Sequence, residues 1–280
     1  MRSVVWGLLD PGCSVRVVVV TALAIDEGDS LGTTDNSAVR SALVQVFLAP
    51  ASLDDALAAQ GRLARSVLRW GRTAASSASS GTSGGIEISI GRRIADPIDH
   101  VLRDRRYLLD DTVGAYIEIA CADAEPDRGI RLVAGLATAL DGLVDVSRSR
   151  VAVGGVHIVR PGDGPTVLFH WLRKRADISR ESFHEYWAGG HTRHSSELTA
   201  SFGYRQLHVD AEWTKRAADA SRLPAADFEG VAMTRSPDPD AYVRHMTSTA
   251  ASKGMGDNAT FVDVDRSPYI TLWNVAAVTA

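Results

Sequence analysis

The apolar and polar positions along the chain predict strands and helices in a repeated order. Residues 42–48 form an apolar run of strand composition, residues 53–68 carry apolar side chains at helical spacing, and residues 86–90 alternate with a period of two. Further strand patterns lie at 113–120 and 151–159, with a helical pattern between them. The first part of the chain therefore predicts the order strand, helix, strand, strand, helix, strand.

The same order returns after the Pro- and Gly-rich segment 161–165. Strand patterns at 167–172, 202–209, 229–234 and 269–275 alternate with helical patterns at 179–189 and 238–249. This order is typical of a ferredoxin-like α+β unit, in which helices cover one face of an antiparallel sheet. We therefore predict two ferredoxin-like units in tandem, residues 1–160 and residues 166–280.

Two segments of the first unit have a different character. Residues 73–85 are almost entirely Ser, Ala, Thr and Gly, which predicts a flexible loop. Residues 4–24 are rich in apolar side chains, but Asp10, Pro11 and Arg16 interrupt them, and no stretch is long enough to span a bilayer. The pattern favours a buried strand at 15–20 over a cleaved signal peptide.

Composition and charge narrow the function classes. Hydrophobic residues make up 45% of the 280 residues and charged residues 23%, as in globular proteins that bury a core. The net charge of −4 lacks the basic excess of a nucleic-acid binder. Cys13 and Cys121 are too few and too far apart for a disulfide framework. We expect a cytoplasmic protein that binds neither nucleic acid nor membrane.

Histidine and aromatic side chains concentrate in the second unit. On the predicted helix, Phe183, Trp187, His191 and His194 share one stripe. Two aromatic rings beside two imidazoles indicate an apolar wall that carries acid/base groups, because imidazole titrates near neutral pH.

The neighbouring strands add further candidates. Tyr204, Gln206 and His208 share one face of the strand at 202–209, and Phe169 and Trp171 share one face of the preceding strand. Packed against the helical stripe, these side chains would form an aromatic cleft with a few convergent polar groups. Such a cleft is typical of a small-molecule site.

Other interpretations of the histidines remain open. His170 and His245 are interpreted as hydrogen-bonded core residues. A metal site would use His191 and His194 with a third side chain nearby, but catalytic zinc sites have three ligands at a recognisable spacing that this segment lacks. We expect neither a metal nor a cofactor.

Four segments of the second unit resemble the EthD-like family of the dimeric α+β barrel superfamily. They are 172–191, 203–208, 228–232 and 257–263, in the family's order, and the first 160 residues carry none of these motifs. The resemblance implies two ferredoxin-like sheets that close face to face into a barrel. Such barrels normally form from two chains, so a homodimer is one expectation and an internal barrel from the two units is another.

The resemblance also implies a hydrophobic cleft in which one or two acid/base groups act on an activated carbonyl compound. Our hypothesis is a cofactor-independent lyase or isomerase, of cyclase, dehydratase or decarboxylase type, for an aromatic or polyketide-like substrate. The roles assigned are proton transfer by His191 with His208 or His194, oxyanion binding by Tyr204 or Gln206, and apolar walls from Phe183, Trp187, Trp171 and Phe169. The alternatives are a cofactor-free monooxygenase and a non-catalytic small-molecule binding protein.

Overall fold

Eight antiparallel strands close into a barrel in the computed structural model, which describes residues 41–51, 56–78, 86–93, 97–121, 126–193 and 202–279. The strands are β1 (Ala42–Pro50), β2 (Ile86–Arg93), β3 (Ala115–Cys121), β4 (Val144–Arg160), β5 (Thr166–Leu172), β6 (Gly203–Val209), β7 (Gly230–Ser236) and β8 (Tyr269–Thr279). The helices are α1 (Ala56–Ala78), α2 (Pro97–Asp104), α3 (Asp127–Leu132), α4 (Leu136–Ala139), α5 (Arg180–Glu185), α6 (Ala211–Ser221), α7 (Pro239–Met246) and α8 (Thr249–Asn258).

The barrel consists of two units with the same strand order. Around the barrel the strands follow each other as β1-β3-β2-β8-β5-β7-β6-β4. The first unit therefore has the order β4-β1-β3-β2 and the second β8-β5-β7-β6, which is the ferredoxin-like order in each case. The units join at two antiparallel seams, β2 with β8 and β4 with β6. The predicted fold class, two ferredoxin-like units that close a barrel within one chain, is confirmed.

The predicted division at 161–165 falls on the connection between β4 and β5, so it separates two repeats inside one barrel. Residues Val39–Ala280 form one compact unit. The strand predicted at 15–20 lies outside the described residues. Within the described ranges, no helix is long and apolar enough to cross a bilayer.

The prediction of a flexible loop at 73–85 is wrong for residues 73–78, because α1 continues to Ala78. Alanine has the highest helix propensity, and serine costs a helix only a fraction of a kcal/mol per residue. The Thr73 hydroxyl donates to the Arg69 carbonyl at 3.2 Å, which satisfies it within the helix. Residues 79–85 lie outside the described part of the chain.

One helix of each unit packs against the other unit. Helix α2 contacts α7, and its Ile98 and Leu102 are buried in the core of the second unit. Helix α6 contacts α3 and β4, and its Ala217 is buried in the core of the first unit. Each unit therefore contributes apolar surface to the other's core, which ties the two units together beyond their strand seams.

Most of the described side chains in the barrel lumen are apolar, and Glu118 pairs with arginine side chains there. Phe47 packs edge to face on Phe169 and Trp171, with ring centroids 5.2 Å and 5.0 Å apart. Arg235 on β7 forms an ion pair with Glu118 on β3 at 3.3 Å, and both side chains are almost fully buried. The inward-facing side chains thus join strands of different units.

The helix-facing side of the sheet differs between the two units. In the first unit it is aliphatic and includes Val44, Val46, Ile88, Ile117 and Ile119. In the second unit the same side carries His170, Tyr204, Gln206, His208 and Thr234. Polar side chains at the sheet–helix interface need hydrogen-bond partners or a ligand, so this difference places the candidate site in the second unit.

A glycine at the β4–β6 seam gives a test of barrel closure. A Cβ atom on Gly154 would lie 1.9 Å from the backbone oxygen of His208, and no side-chain movement can relieve this contact. We expect Gly154→Ala to lower the free energy of unfolding by about 1–3 kcal/mol in chemical denaturation. In the control Gly61→Ala, the new Cβ meets Arg65 at 3.6 Å, so stability should stay equal or rise. Unchanged stability of the Gly154 variant would contradict the close packing of this seam.

Candidate functional site

A cavity of about 120 Å³ lies between the helix-facing side of the second unit's sheet and helices α7 and α8. Its polar lining consists of His170, His191, Tyr204, Thr234, Tyr242, His245, Asn258 and Tyr269. Leucine, methionine, tryptophan and alanine side chains and Gly254 complete the lining. The cavity is therefore apolar with a few imidazole and phenol groups, as expected of a site for a small organic molecule.

His191 reaches the cavity through an irregular helix end. Helix α5 begins after Ser179, whose hydroxyl accepts a hydrogen bond from the Ser182 amide at 3.1 Å. The helix then widens into a π-helical turn over Tyr186–Gly190, and His191 follows directly. Single π-helical turns are frequent at functional sites because they redirect the following side chains.

An aspartate from α8 orients the His191 ring. His191 Nδ1 lies 2.7 Å from Asp257 Oδ2, and the side chains of both residues are 13% exposed. The Tyr186 hydroxyl donates to the other carboxylate oxygen, Oδ1, at 2.9 Å. A carboxylate at Nδ1 fixes the imidazole tautomer and stabilises the imidazolium that forms when Nε2 takes up a proton. This pair is the arrangement of a general base.

Tyr204 accepts two hydrogen bonds beside the cavity. Its oxygen accepts from Trp187 Nε1 at 3.1 Å and from Gln206 Nε2 at 3.2 Å. Gln206 Nε2 also donates to the backbone carbonyl of Trp187 at 3.0 Å, which fixes the strand against the helix end. Since both donors point at the phenol oxygen, the Tyr204 proton is available to an acceptor elsewhere in its surroundings.

The three phenols of the wall stay protonated at neutral pH. Burial raises the pKa of Tyr204 to about 12, although its two hydrogen bonds act in the opposite direction. Burial also raises the pKa values of Tyr242 and Tyr269. Each phenol is therefore a hydrogen-bond donor, suited to stabilise an oxygen on which negative charge develops.

His208 lies one layer behind the cavity wall. Its ring stacks on Trp187 at 4.8 Å and contacts the rings of His157 and His184 at 4.5 Å and 4.7 Å. Its Nε2 lies 3.1 Å from Gln206 Oε1. Burial, with smaller contributions from the two neighbouring histidines, lowers its pKa to about 3. In the described ranges, no three His, Cys, Asp or Glu side chains converge as metal ligands.

His170 and His245, interpreted from sequence as core residues, both line the cavity. His170 is also buried: it stacks on Tyr269 at 3.8 Å, and its Nε2 lies 3.1 Å from the Ser267 carbonyl. Burial lowers its pKa to about 3, so the ring is neutral at physiological pH. Burial also lowers the pKa of His245.

The structure separates the sequence-predicted residues into layers. His191, Tyr204 and Trp187 line the cavity. Gln206, His208 and Phe183 lie directly behind them, where they support Trp187 and Tyr204. Phe169 and Trp171 lie on the opposite face of β5, in the barrel lumen, and so do not reach this cavity. His194 lies outside the described residues.

The sequence did not point to Asp257 as a partner of His191, although it lies in one of the four resembling segments. Sixty-six positions separate the two residues, and no spacing rule connects side chains on two different helices. The only sequence signal is the motif itself, in which Asp257 precedes Phe261 by four positions. Phe261 packs on the His191 ring at 5.2 Å and on Tyr186 at 5.3 Å, so the motif supplies both the carboxylate and its apolar cover.

The fold and the site define an α+β barrel of the dimeric α+β barrel type, built from one chain, with a histidine-lined cavity in its second unit. Residues 175–265 match the sequence profile of the EthD domain. The matched segment contains His191, Tyr204 and Asp257 and thus most of the candidate site. No curated protein matches the chain in sequence.

Solved structures with a similar fold have low sequence identity. A provisionally named monooxygenase from Lactobacillus acidophilus is 11% identical, with 86% of this chain and 99% of that chain covered at a TM-score of 0.43. A second provisionally named monooxygenase, from Fusobacterium nucleatum, is 8% identical, with 85% of this chain and 94% of that chain covered at a TM-score of 0.47. Chlorite dismutase from Candidatus Nitrospira defluvii is 10% identical, with 82% of this chain and 90% of that chain covered at a TM-score of 0.44.

Proposed function

We propose that the cavity is the active site of a cofactor-independent lyase or isomerase that removes a proton from a carbon next to a carbonyl group. The observation that carries this proposal is the hydrogen bond of 2.7 Å between His191 Nδ1 and Asp257, because it sets an imidazole base into the cavity wall. A positioned general base of this kind typically accelerates proton transfer by about 10²–10⁴-fold.

Each group has a defined part in this reaction. His191 Nε2 takes the proton, and Asp257 stabilises the resulting imidazolium. The electron pair left on carbon moves onto the carbonyl oxygen, and the Tyr204 hydroxyl donates to the enolate oxygen. Returning the proton to another carbon gives an isomerisation, and returning it to a departing hydroxyl gives a dehydration. Both outcomes balance without an external oxidant.

The size of the cavity favours a small substrate. Its volume of about 120 Å³ compares with roughly 150 Å³ for an engineered protein cavity that binds benzene. Of the aromatic or polyketide-like carbonyl compounds that the resemblance implies, a compound with a single ring fits best. Trp187 and Leu168 would supply the apolar contacts to this ring.

Deuterium exchange tests the proposal independently of the final product. Single-ring ketones and β-diketones would be incubated with the protein in D₂O under nitrogen, and incorporation at the acidic carbon followed by NMR. We expect catalysed exchange without oxygen. Turnover that requires oxygen and adds one oxygen atom would instead identify a cofactor-free monooxygenase. Ligand-dependent stabilisation with neither exchange nor turnover would identify a binding protein.

A further inference from the structure

Gln206 lies behind the cavity wall and contacts three groups of the candidate site. The residue is fully buried. Its amide nitrogen lies 3.0 Å from the backbone oxygen of Trp187 and 3.2 Å from the Tyr204 oxygen, and its amide oxygen lies 3.1 Å from His208 Nε2. Since an amide has a donor end and an acceptor end, the direction in which this side chain is held decides what each neighbour can do.

The Trp187 carbonyl fixes the direction of the amide. A carbonyl oxygen accepts hydrogen bonds and cannot donate, so the end of the Gln206 side chain that faces it must be the NH₂ group. The amide oxygen then faces His208. Burial lowers the pKa of His208 to about 3, so the ring is neutral and carries its proton on Nε2, where it donates to this oxygen. The reversed amide would place its oxygen against the Trp187 carbonyl, where two acceptors repel each other.

Trp187 has little freedom to move. The residue is fully buried, and its ring stacks on His208 at 4.8 Å and contacts Phe183 at 5.7 Å. A Cβ atom on Gly230 would lie 2.4 Å from the indole ring, so strand β7 packs directly against it. The carbonyl that orients Gln206 is therefore held in a fixed position.

The two donors around Tyr204 leave its proton for the cavity. The Trp187 indole N–H, at 3.1 Å, and an N–H of the Gln206 amide, at 3.2 Å, both donate to the phenol oxygen. Neither group can accept at its nitrogen, so the Tyr204 proton points to neither and is available to an acceptor in the cavity that Tyr204 lines. An acceptor at the position of the amide nitrogen would instead draw this proton back.

We propose that Gln206 is a positioning residue, whose amide, oriented by the Trp187 carbonyl, directs the Tyr204 proton towards an oxyanion in the cavity. The inference rests on the proposed function, because the enolate oxygen of that reaction is the acceptor that Tyr204 serves. Gln206 acts through Tyr204 and does not itself contact the ligand.

Two substitutions separate the direction of the amide from its bulk. Gln206→Glu keeps the shape but places an oxygen where the nitrogen was, and this oxygen accepts from Tyr204 whether the carboxyl group is ionised or protonated. Gln206→Met removes the amide and offers only a weak acceptor. We expect Gln206→Glu to lower the rate of deuterium exchange by about 10²-fold, the usual cost of losing an oxyanion donor, and Gln206→Met to lower it by less than about tenfold. Chemical denaturation checks that each variant is folded.

Ligand affinity gives a readout that needs no turnover. The probes are 4-nitrophenol at slightly alkaline pH, where its anion resembles an enolate, and 4-nitrotoluene, a neutral compound of similar shape. The ratio of their dissociation constants measures the preference of the site for the anion. Gln206→Glu and Tyr204→Phe should each lower this preference by about tenfold or more, since each removes a hydrogen bond to a charged group, whereas Gln206→Met should change it little. Gln45→Met, which removes a fully buried glutamine that donates to Glu118, is the matched control and should leave the preference unchanged.

Combining Gln206→Glu with Tyr204→Phe separates this effect from charge repulsion. If the glutamate acts by turning the Tyr204 proton, it cannot lower the anion preference further once the hydroxyl is gone, so the two losses should not add. An unchanged preference in Gln206→Glu, a loss in Gln206→Met as large as in Tyr204→Phe, or additive losses in the combined variant would overturn the proposal. Absence of deuterium exchange in the wild type, with these affinities as expected, would count against the reaction at His191 alone.

Discussion

Replacing His191 by Gln should lower the maximal rate of the proposed proton transfer by about two to four orders of magnitude. The glutamine amide keeps part of the bulk and a hydrogen bond to Asp257, but it has no basic nitrogen near neutral pH. The rate of deuterium incorporation into a single-ring ketone measures the loss directly.

Asp257→Asn separates orientation of the base from the base itself. The imidazole remains, but the amide cannot stabilise its protonated form as a carboxylate does. We expect a loss of about 10- to 100-fold, since a hydrogen bond to a charged group contributes about 1.5–3 kcal/mol. His100→Gln, on the exposed side of α2, is the control and should retain full activity.

A rate of deuterium exchange near the wild-type value in a correctly folded His191→Gln variant would show that His191 is not the general base.

The order of the strands along the sequence could be predicted, because the alternation of apolar and polar side chains is a local property of the chain. The pattern in residues 202–209 already places Tyr204, Gln206 and His208 on one face, and the structure confirms that this face packs on Trp187. Helix α6 was not predicted, because the residues that it buries are Thr214, Ala217 and Ser221, which give no strong apolar stripe. Its burial against the first unit is a tertiary effect.

The faces of β5 show a limit of the same reasoning. Alternation correctly separates Phe169 and Trp171 from His170, but it does not say which face meets the helices. In a closed barrel both faces are buried, one against helices and one against the lumen, so aromatic composition does not distinguish them. The sequence therefore predicted the aromatic face as the wall of the site, whereas the histidine face lines the cavity.

The pairing of His191 with Asp257 depends on how the π-helical turn after α5 and helix α8 come together. Phe261 contacts the rings of Phe183 at 5.4 Å and His191 at 5.2 Å. Such long-range packing is decided by the volumes of side chains far apart in sequence. A single sequence shows the separate residues but not their contact.

Acidification from about pH 7 to pH 5 should lower the free energy of unfolding by roughly 4 kcal/mol through His170 and His208 together. Burial lowers the pKa of each to about 3 in the folded protein, whereas an exposed histidine titrates near 6.5. Between these values the unfolded chain binds protons that the folded chain does not, so stability decreases as the pH falls. Chemical denaturation at the two pH values measures the difference.

His208→Gln tests the origin of this pH dependence. The glutamine amide can still donate to Gln206 Oε1 but does not titrate, so the share of the decrease that comes from His208, about 2 kcal/mol, should disappear. The strongly acidic carboxylates do not interfere, since a group such as Asp145, with a pKa of about 2, stays ionised throughout this range. A stability that is flat between the two pH values, or that falls equally in His208→Gln, would show that the histidines are not buried as neutral groups behind the site.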